Sequence, residues 1–235
     1  MTAKPVDLGV SRVIADGVKK HPTLRPRDAS SLILIDRSEP VFRVLVGKRA
    51  RAHAFMPDMY VFPGGRRDAS DSRLPVSAPL RPEVLDRLTL RTSARFSSAT
   101  ARGLATAAAR ELEEEVSLSL NPGGQSGTFQ PDLSKLRFVA RAITPPGRNR
   151  RFDTRFFACF TDEIDADTNS PKVSNELIDL TWISIDDTKQ VALPFITEII
   201  LNDLHSALRA NPELPFGAPV PFYLTRANRF LKDML

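Results

Sequence analysis

Residues 110–118 read Arg110-Glu-Leu-Glu-Glu-Glu-Val-Ser-Leu118, so four carboxylates fall within five positions. On a helix, Glu111, Glu114 and Glu115 share one side, because positions three and four apart lie on neighbouring turns. Like charges so placed repel each other, and a divalent cation removes the repulsion. Hard cations such as Mg²⁺ prefer carboxylate oxygens as ligands. The stretch therefore predicts a metal site or, in the simpler interpretation, a solvated acidic helix face.

The residues before and within this stretch have the spacing of a helix that packs against a core. Four apolar residues recur at intervals of four, three and four positions and form one stripe; they are Ala105, Ala109, Leu112 and Val116. We therefore predict a helix from about Thr100 to Val116. An Asn-Pro-Gly-Gly sequence at 121–124 stops it.

Short apolar runs on both sides of the helix predict strands. Residues 31–35 and 41–46 suggest a hairpin, and Tyr60-Val61-Phe62 is a short strand ended by Pro63-Gly64-Gly65. Further strands are predicted at 136–143, 155–160 and 178–183, before a last core helix that begins at Pro194. This order of elements predicts an α/β fold in which a mixed sheet packs between helices.

Three segments differ from this pattern. Residues 1–27 are interpreted as an N-terminal arm that leads into a domain spanning 28–210. Residues 66–98 are polar and rich in Ser and Arg, and are interpreted as an insertion in which Pro82 opens a short helix through Leu90. Residues 211–235 form a Pro-rich C-terminal extension that ends in an amphipathic stretch from Leu224 to Leu235.

Composition narrows the class of protein. The net charge of +5, with arginines outnumbering lysines, favours anionic partners. Nucleic acid is not expected, because basic and aromatic residues do not alternate as in RNA-binding modules. Cys159 is the one cysteine, which excludes an intrachain disulfide, and its apolar neighbours predict a buried, inert thiol. No segment approaches 18 apolar residues, so we expect no membrane contact and a cytoplasmic location.

The quoted residues resemble a known motif. Gly64-Gly65 followed by Arg110-Glu111-Leu112-x-Glu114-Glu115-x-Ser117-Leu118 is similar to the Nudix box of the Nudix hydrolases. The resemblance implies a Nudix-like α/β/α sandwich and hydrolysis of a diphosphate with Mg²⁺ or Mn²⁺. The box places its first Gly 14 positions before its Arg. Here Gly65 stands 45 positions before Arg110, so about 31 residues are inserted.

Two positions depart from the box. Counted back from Arg110, Arg102 stands where the box has a Glu, and Ser117 stands where it has a Gly. The carboxylates that the resemblance assigns to the metal are retained. The missing early Glu puts in doubt a supporting contact within the site, and with it full activity.

The insertion points to one branch of the superfamily. A long spacer inside the box, the run from Phe55 to Asp68 and the run from Arg151 to Phe157 resemble the branch that includes an acyl-coenzyme A diphosphatase. This resemblance implies coenzyme A or acyl-CoA as substrate. The alternatives are an ADP-ribose or dinucleotide diphosphatase, or a non-catalytic Nudix-fold module that binds a ligand.

The resemblance also implies roles for individual residues. Glu114 and Glu115 would be the main metal ligands, with the Gly64 carbonyl as a further ligand. Glu111 would be a ligand or the general base, and Arg110 would orient it by a charge-assisted hydrogen bond. The simpler interpretation of Arg110 is an ion pair on the helix surface. Glu176, just before a predicted strand, is our candidate for a ligand from outside the box, against an ordinary surface Glu.

Substrate contacts are assigned to arginines. Arg148, Arg150, Arg151 and Arg155 follow a Pro-Pro-Gly turn, and Arg51 precedes the Gly-Gly strand together with Arg49 and His53. Arginine suits phosphate because its planar fork bonds two oxygens at once. The basic run is predicted either to grip the substrate's phosphates or to be a solvated loop. The partner is a small nucleotide-like diphosphate. The oligomeric state stays open, with a homodimer as one alternative.

Overall fold

A computed structural model describes residues 5–9, 24–51, 58–122, 128–164 and 171–235. The strands are β1 (Val6–Asp7), β2 (Arg27–Asp36), β3 (Arg43–Arg49), β4 (Tyr60–Val61), β5 (Gly64–Arg66), β6 (Arg137–Ile143), β7 (Phe152–Phe160), β8 (Leu177–Ser184), β9 (Pro221–Arg226) and β10 (Arg229–Met234). The helices are α1 (Pro82–Thr89), α2 (Ser98–Val116) and α3 (Phe195–Ala210).

The strands form one mixed sheet around β2. Its main path runs β1-β10-β9-β6-β7-β2-β3-β4, while β5 pairs with β2 and β8 pairs with β3. The β2–β7 and β6–β9 pairs are parallel, and the other pairs are antiparallel. The predicted α/β fold with a mixed sheet is therefore confirmed. So is the predicted hairpin, since β2 pairs antiparallel with β3 at Ile35 and Val44.

Helices cover both faces of the sheet. Side chains alternate along β2, so Leu32 and Leu34 enter one apolar core and Ile33 and Ile35 enter the other. The first core lies beneath α1 and α2, where Leu112 is fully buried. The second core packs against α3 through residues that include Ile200, Leu201 and Leu204. The molecule thus has three layers, as the α/β/α prediction requires. No described helix is both long enough and apolar enough to span a bilayer.

The inserted segment joins the core on the α2 face. Pro82 begins α1 as predicted, and Val84 and Leu88 on that helix are buried in the first core. Arg102 on α2 donates hydrogen bonds to the carbonyl oxygens of Ser72 and Leu74. The insertion is therefore an additional piece of the helical layer and is anchored to the glutamate helix.

Both ends of the chain contribute to the sheet. The amphipathic stretch from Leu224 to Leu235 belongs to the β9–β10 hairpin, whose turn at Ala227 and Asn228 has φ values of 48° and 59°. β1 pairs with the outer side of β10, and β9 pairs with β6. The domain boundaries at 27/28 and 210/211 stay predictions. The flanks outside them nevertheless supply three strands of the sheet.

Candidate functional site

Two glycines bring the β-sheet into contact with α2. A Cβ atom on Gly64 would lie 2.5 Å from the Ser30 carbonyl oxygen and 2.7 Å from Ser31 Cα. A Cβ on Gly65 would collide with the carboxylate of Glu111. Any side chain at either position would push β5 away from β2 or from the helix. The Gly-Gly pair therefore places the Glu111 carboxylate directly against the backbone of β5.

Glu115 makes the second contact between α2 and β5. Its Oε2 accepts a hydrogen bond from the Gly64 backbone N–H at 2.8 Å. Burial raises the pKa of Glu115 to about 8, with Glu111 and Glu176 adding to the rise and the Gly64 hydrogen bond and Arg49 opposing it. Burial also raises the pKa of Glu111, against the opposing effect of Arg110. Carboxyl groups thus lie together where little water screens their charges, and this favours the protonated form of Glu115.

Arg110 forms hydrogen bonds with two carboxylates of the site, those of Glu111 and Glu114. Its Nη1 donates to Glu111 Oε1 and to Glu114 Oε2, both at 2.9 Å, and its Nη2 donates to the Arg66 carbonyl oxygen at 3.2 Å. Burial lowers the pKa of Arg110, but its acidic neighbours more than reverse the effect, so the guanidinium stays charged. Glu114 is the most exposed of the three glutamates, and its side chain is 58% accessible.

These groups open onto one large cleft. The cleft has a volume of about 900 Å³ and is lined by Gly64, Gly65, Glu111 and Glu114 together with Glu176. Arg49, Arg148 and Arg150 contribute positive charge to the same cleft. Its other wall is apolar and includes Phe62, Phe156, Phe195 and Phe230. The cleft therefore combines an acidic end, arginines and an aromatic wall.

Solved structures share this architecture. A crystal structure of a NUDIX hydrolase from Alicyclobacillus acidocaldarius is 24% identical, with 81% of this chain and 94% of that chain covered and a TM-score of 0.59. The chain has the Nudix fold. The chain is also similar to a MutT NUDIX hydrolase from Burkholderia pseudomallei (18% identity, coverage 77% and 99%, TM-score 0.46). A third similar structure is the NUDIX domain of Shewanella oneidensis NrtR with ADP ribose (12% identity, coverage 83% and 98%, TM-score 0.49). No family model and no curated protein matches the sequence.

One residue beside the candidate site was missed when the sequence was compared with the Nudix box. Arg102, which stands where the Nudix box has its early Glu, binds the insertion and does not contact Arg110 in the way expected of that Glu. Asp71 does so instead, accepting from Arg110 Nε at 3.0 Å and from Nη2 at 3.3 Å while fully buried. Counting forward from Gly65 finds it, because the early acid of the box lies six positions after the Gly. The insertion begins after that acid, so an acidic side chain still binds Arg110 beside the glutamates.

Ser117, the second departure, stands where the Nudix box has Gly. It ends α2 with a left-handed backbone, φ 57°, and its N–H donates to the Glu113 carbonyl oxygen at 3.2 Å. Glycine is the usual residue at this position of a helix because it has no Cβ to clash. Serine therefore keeps the helix end of the box, but in a conformation that disfavours side chains.

The donor set suits a hard divalent cation. The carboxylates of Glu111 and Glu115 lie against the Gly64-Gly65 backbone, and that of Glu114 lines the same cleft, so all of these groups offer oxygen ligands. Within the described residues, no three acidic, His or Cys side chains are already grouped as a metal-binding set. Arg110 and the Gly64 N–H engage these carboxylates instead. Metal binding thus requires the glutamates to turn from these donors toward the ion.

Several predicted substrate contacts lie elsewhere. Arg155 points to the α2 face of the sheet, where its side chain is 2% exposed and pairs with Asp28 and Asp153. Arg151 donates to the carbonyl oxygens of Thr144 and Leu24 and does not line the cleft. Arg51 is largely exposed beside Asp58 and also lies outside the cleft lining. His53 and the 55–57 part of the branch motif lie outside the described residues.

Proposed function

We propose that this chain hydrolyses a diphosphate linkage in a nucleotide-like substrate with Mg²⁺ or Mn²⁺ as cofactor. The observation that carries the proposal is the packing of Glu111 and Glu115 against Gly64 and Gly65 of β5, at the edge of a large cleft lined by both glycines and by Glu111. An acidic helix face exposed only to solvent would not bury these carboxylates, because burying charges without compensation is costly. The raised pKa of Glu115 has the same origin.

The roles of the chain's own groups follow from their positions. Glu111, Glu114 and Glu115 would hold the cation with the Gly64 carbonyl, and Glu176, which lines the same cleft, would be the further ligand. When bound, a divalent ion neutralises the diphosphate and lowers the pKa of the attacking water. A carboxylate has two oxygens, so Glu111 can bind through one and accept a proton through the other. Arg110, held by Asp71, fixes the direction of Glu111.

For the substrate we propose coenzyme A or an acyl-CoA. Arg148 and Arg150 line the cleft and can pair with phosphate oxygens beyond the diphosphate itself. The aromatic wall offers an apolar surface for the rest of a large substrate. ADP-ribose and dinucleotides are the competing substrates, since they carry the same linkage without a third phosphate on the ribose.

The proposal is tested by turnover of coenzyme A, ADP-ribose and a dinucleoside polyphosphate with Mg²⁺ or Mn²⁺. Release of a nucleoside monophosphate-type product from at least one of them is expected. The double variant Glu114→Gln/Glu115→Gln should lose turnover while its circular dichroism stays that of wild type. Glu113→Gln is the matched control, because Glu113 is on the same helix but accepts from Ser119 Oγ outside the cleft. A fully active double variant would refute the site, and a wild-type chain that binds these ligands without turnover would indicate a non-catalytic module.

A further inference from the structure

Ser30 lies next to the site on the central strand. In the antiparallel β2–β5 ladder it stands directly opposite Gly65, so the two residues share a face of the sheet. Opposite Cβ positions in such a ladder are about 5 Å apart. Gly65 has no Cβ, and the Glu111 carboxylate occupies the space above it. The Ser30 side chain therefore lies on the same face of the sheet as the Glu111 carboxylate, which sits over the residue opposite Ser30.

The Ser30 hydroxyl is buried without a partner. Ser30 is 1% exposed, and its Oγ has no hydrogen-bond partner in the part of the chain that the structure describes. The next residue shows the contrast, since Ser31 Oγ donates to the Pro63 carbonyl oxygen at 2.8 Å on the other face. Leaving a buried hydroxyl unsatisfied costs about 1–3 kcal/mol. A folded protein rarely keeps a buried hydroxyl without a partner, so this one needs an explanation.

Arg155, next to Ser30 on the neighbouring strand, also has a buried polar atom without a partner among the described residues. It stands beside Ser30 in the parallel β2–β7 pair, on the same face and at the usual strand spacing of about 4.8 Å. Its Nη1 bonds to Asp28 and to the Asp153 carbonyl oxygen, while its buried Nε has no partner among the described residues. A guanidinium N–H can only donate, whereas a hydroxyl both accepts and donates.

We infer that Ser30 is a positioning residue for Glu111, accepting from Arg155 Nε–H and donating its own proton to the Glu111 carboxylate. This inference rests on the proposed function and deepens it. In the structure Glu111 accepts from Arg110 and neither of the two Ser30 hydrogen bonds is made, which leaves both buried atoms without a partner among the described residues. Forming the relay uses both atoms and gives Glu111 a donor besides Arg110. The Ser30 hydroxyl holds the carboxylate over Gly65 when it turns from Arg110 to bind the ion. A donor behind a metal ligand fixes its orientation, and removing such a group weakens metal affinity about 10- to 100-fold.

The test is Mn²⁺ binding to the whole chain, measured by calorimetry or electron paramagnetic resonance. Ser30→Ala is expected to raise the Mn²⁺ Kd about tenfold. Ser30→Thr keeps the hydroxyl and is expected to restore wild-type affinity. Thr106→Val is the matched control, because it removes a buried hydroxyl that donates to the Arg102 carbonyl oxygen on a part of α2 outside the cleft lining. It should lower the melting temperature without changing the Mn²⁺ Kd.

The outcomes separate this inference from the proposed function. Wild-type affinity in Ser30→Ala, or an equal loss of affinity in Thr106→Val, overturns the role of Ser30. Glu111→Gln serves as the reference variant. If wild type binds Mn²⁺ and Glu111→Gln weakens binding while Ser30→Ala does not, the inference alone fails. If wild type binds no Mn²⁺, or Glu111→Gln binds it unchanged, the proposed metal site fails as well.

Discussion

Asp71 grips Arg110 through both carboxylate oxygens, at 3.0 Å to Nε and 3.3 Å to Nη2. The remaining nitrogen of that guanidinium, Nη1, faces Glu111 and Glu114. The guanidinium is planar, so once Asp71 binds Nε and Nη2, the direction in which Nη1 points is fixed. Asp71 thus determines where Arg110 presents its donors to the glutamates.

Asp71→Asn tests this relationship. Asp71 is fully buried and the Arg110 side chain is 19% exposed, so removing the carboxylate leaves a mostly buried charge without its partner. We expect the free energy of unfolding to fall by about 3 kcal/mol, as when one member of a buried ion pair is lost. Denaturant titration measures the change.

Glu114→Gln is the control for that variant. It removes another carboxylate partner of Arg110, but at an exposed position, where an ion pair contributes less than about 1 kcal/mol. Equal losses of stability in the two variants would contradict the assignment of Asp71 as the anchor.

Local patterns made much of the fold and site predictable. The apolar stripe from Ala105 to Val116 predicted α2, whose actual start at Ser98 is two residues earlier because the Ser97 hydroxyl caps Thr100 N–H. The same periodicity put Glu111 and Glu115 near each other, and the glycine pair predicted a close approach of the backbone. All of these signals lie within a few residues of the groups they position.

Features that depend on pairing between distant strands were not predictable. Arg151 and Arg155 read as members of one basic loop, but β7 begins at Phe152, so strand alternation sends Arg155 to the α2 face. The β9–β10 hairpin joins the sheet through β6, about 80 residues away in sequence, and no local pattern encodes that pairing. Asp71 was missed because the box was counted back from Arg110 across the insertion.

Ser117→Gly should stabilise the protein. Its φ of 57° is left-handed, a region that costs a residue with a Cβ about 1–2 kcal/mol. Glycine removes this strain but gains freedom in the unfolded chain, so we expect a net stabilisation of about 0.5–1 kcal/mol. Thermal unfolding of the two proteins measures it.

The same substitution in the middle of α3 should have the opposite sign. Ser206 is exposed in a regular helix, where glycine is about 0.5–1 kcal/mol less favourable than residues with side chains. If both Ser→Gly variants destabilise the protein, the left-handed backbone at Ser117 does not strain the folded state.

Leu88→Ala tests whether the insertion is part of the core. Leu88 on α1 is 1% exposed and lies in the core beneath α2, so we expect a loss of about 2–5 kcal/mol in the free energy of unfolding. KM should stay unchanged, because α1 does not line the cleft. Leu90, which is 41% exposed just beyond the helix, provides the control, and Leu90→Ala should be nearly neutral. A changed KM with unchanged stability would instead make the insertion a cover of the cleft.

Cys159 should be unreactive in the native protein. It is fully buried, and burial raises the pKa of its thiol well above the ordinary value. Because the thiolate is the reactive form, a disulfide reagent should not label it at pH 8 until the chain unfolds. Labelling followed across a urea titration should track the loss of circular dichroism. Stoichiometric labelling of the native protein would show that the β7 core opens independently.

Arg148 and Arg150 should discriminate between substrates that differ by one phosphate. Both line the cleft, and a guanidinium paired with phosphate contributes only when that phosphate is present. We expect Arg148→Ala/Arg150→Ala to raise KM for coenzyme A about tenfold, since each charged hydrogen bond is worth about 1.5–3 kcal/mol at most. KM for the form without the ribose phosphate should rise much less. Arg151→Ala is the control, because Arg151 binds the backbone carbonyls of Leu24 and Thr144 and does not itself line the cleft. It should leave the ratio of the two KM values unchanged. Equal increases for both substrates in the double variant would mean that these arginines bind the shared diphosphate, and the third phosphate would then need another partner.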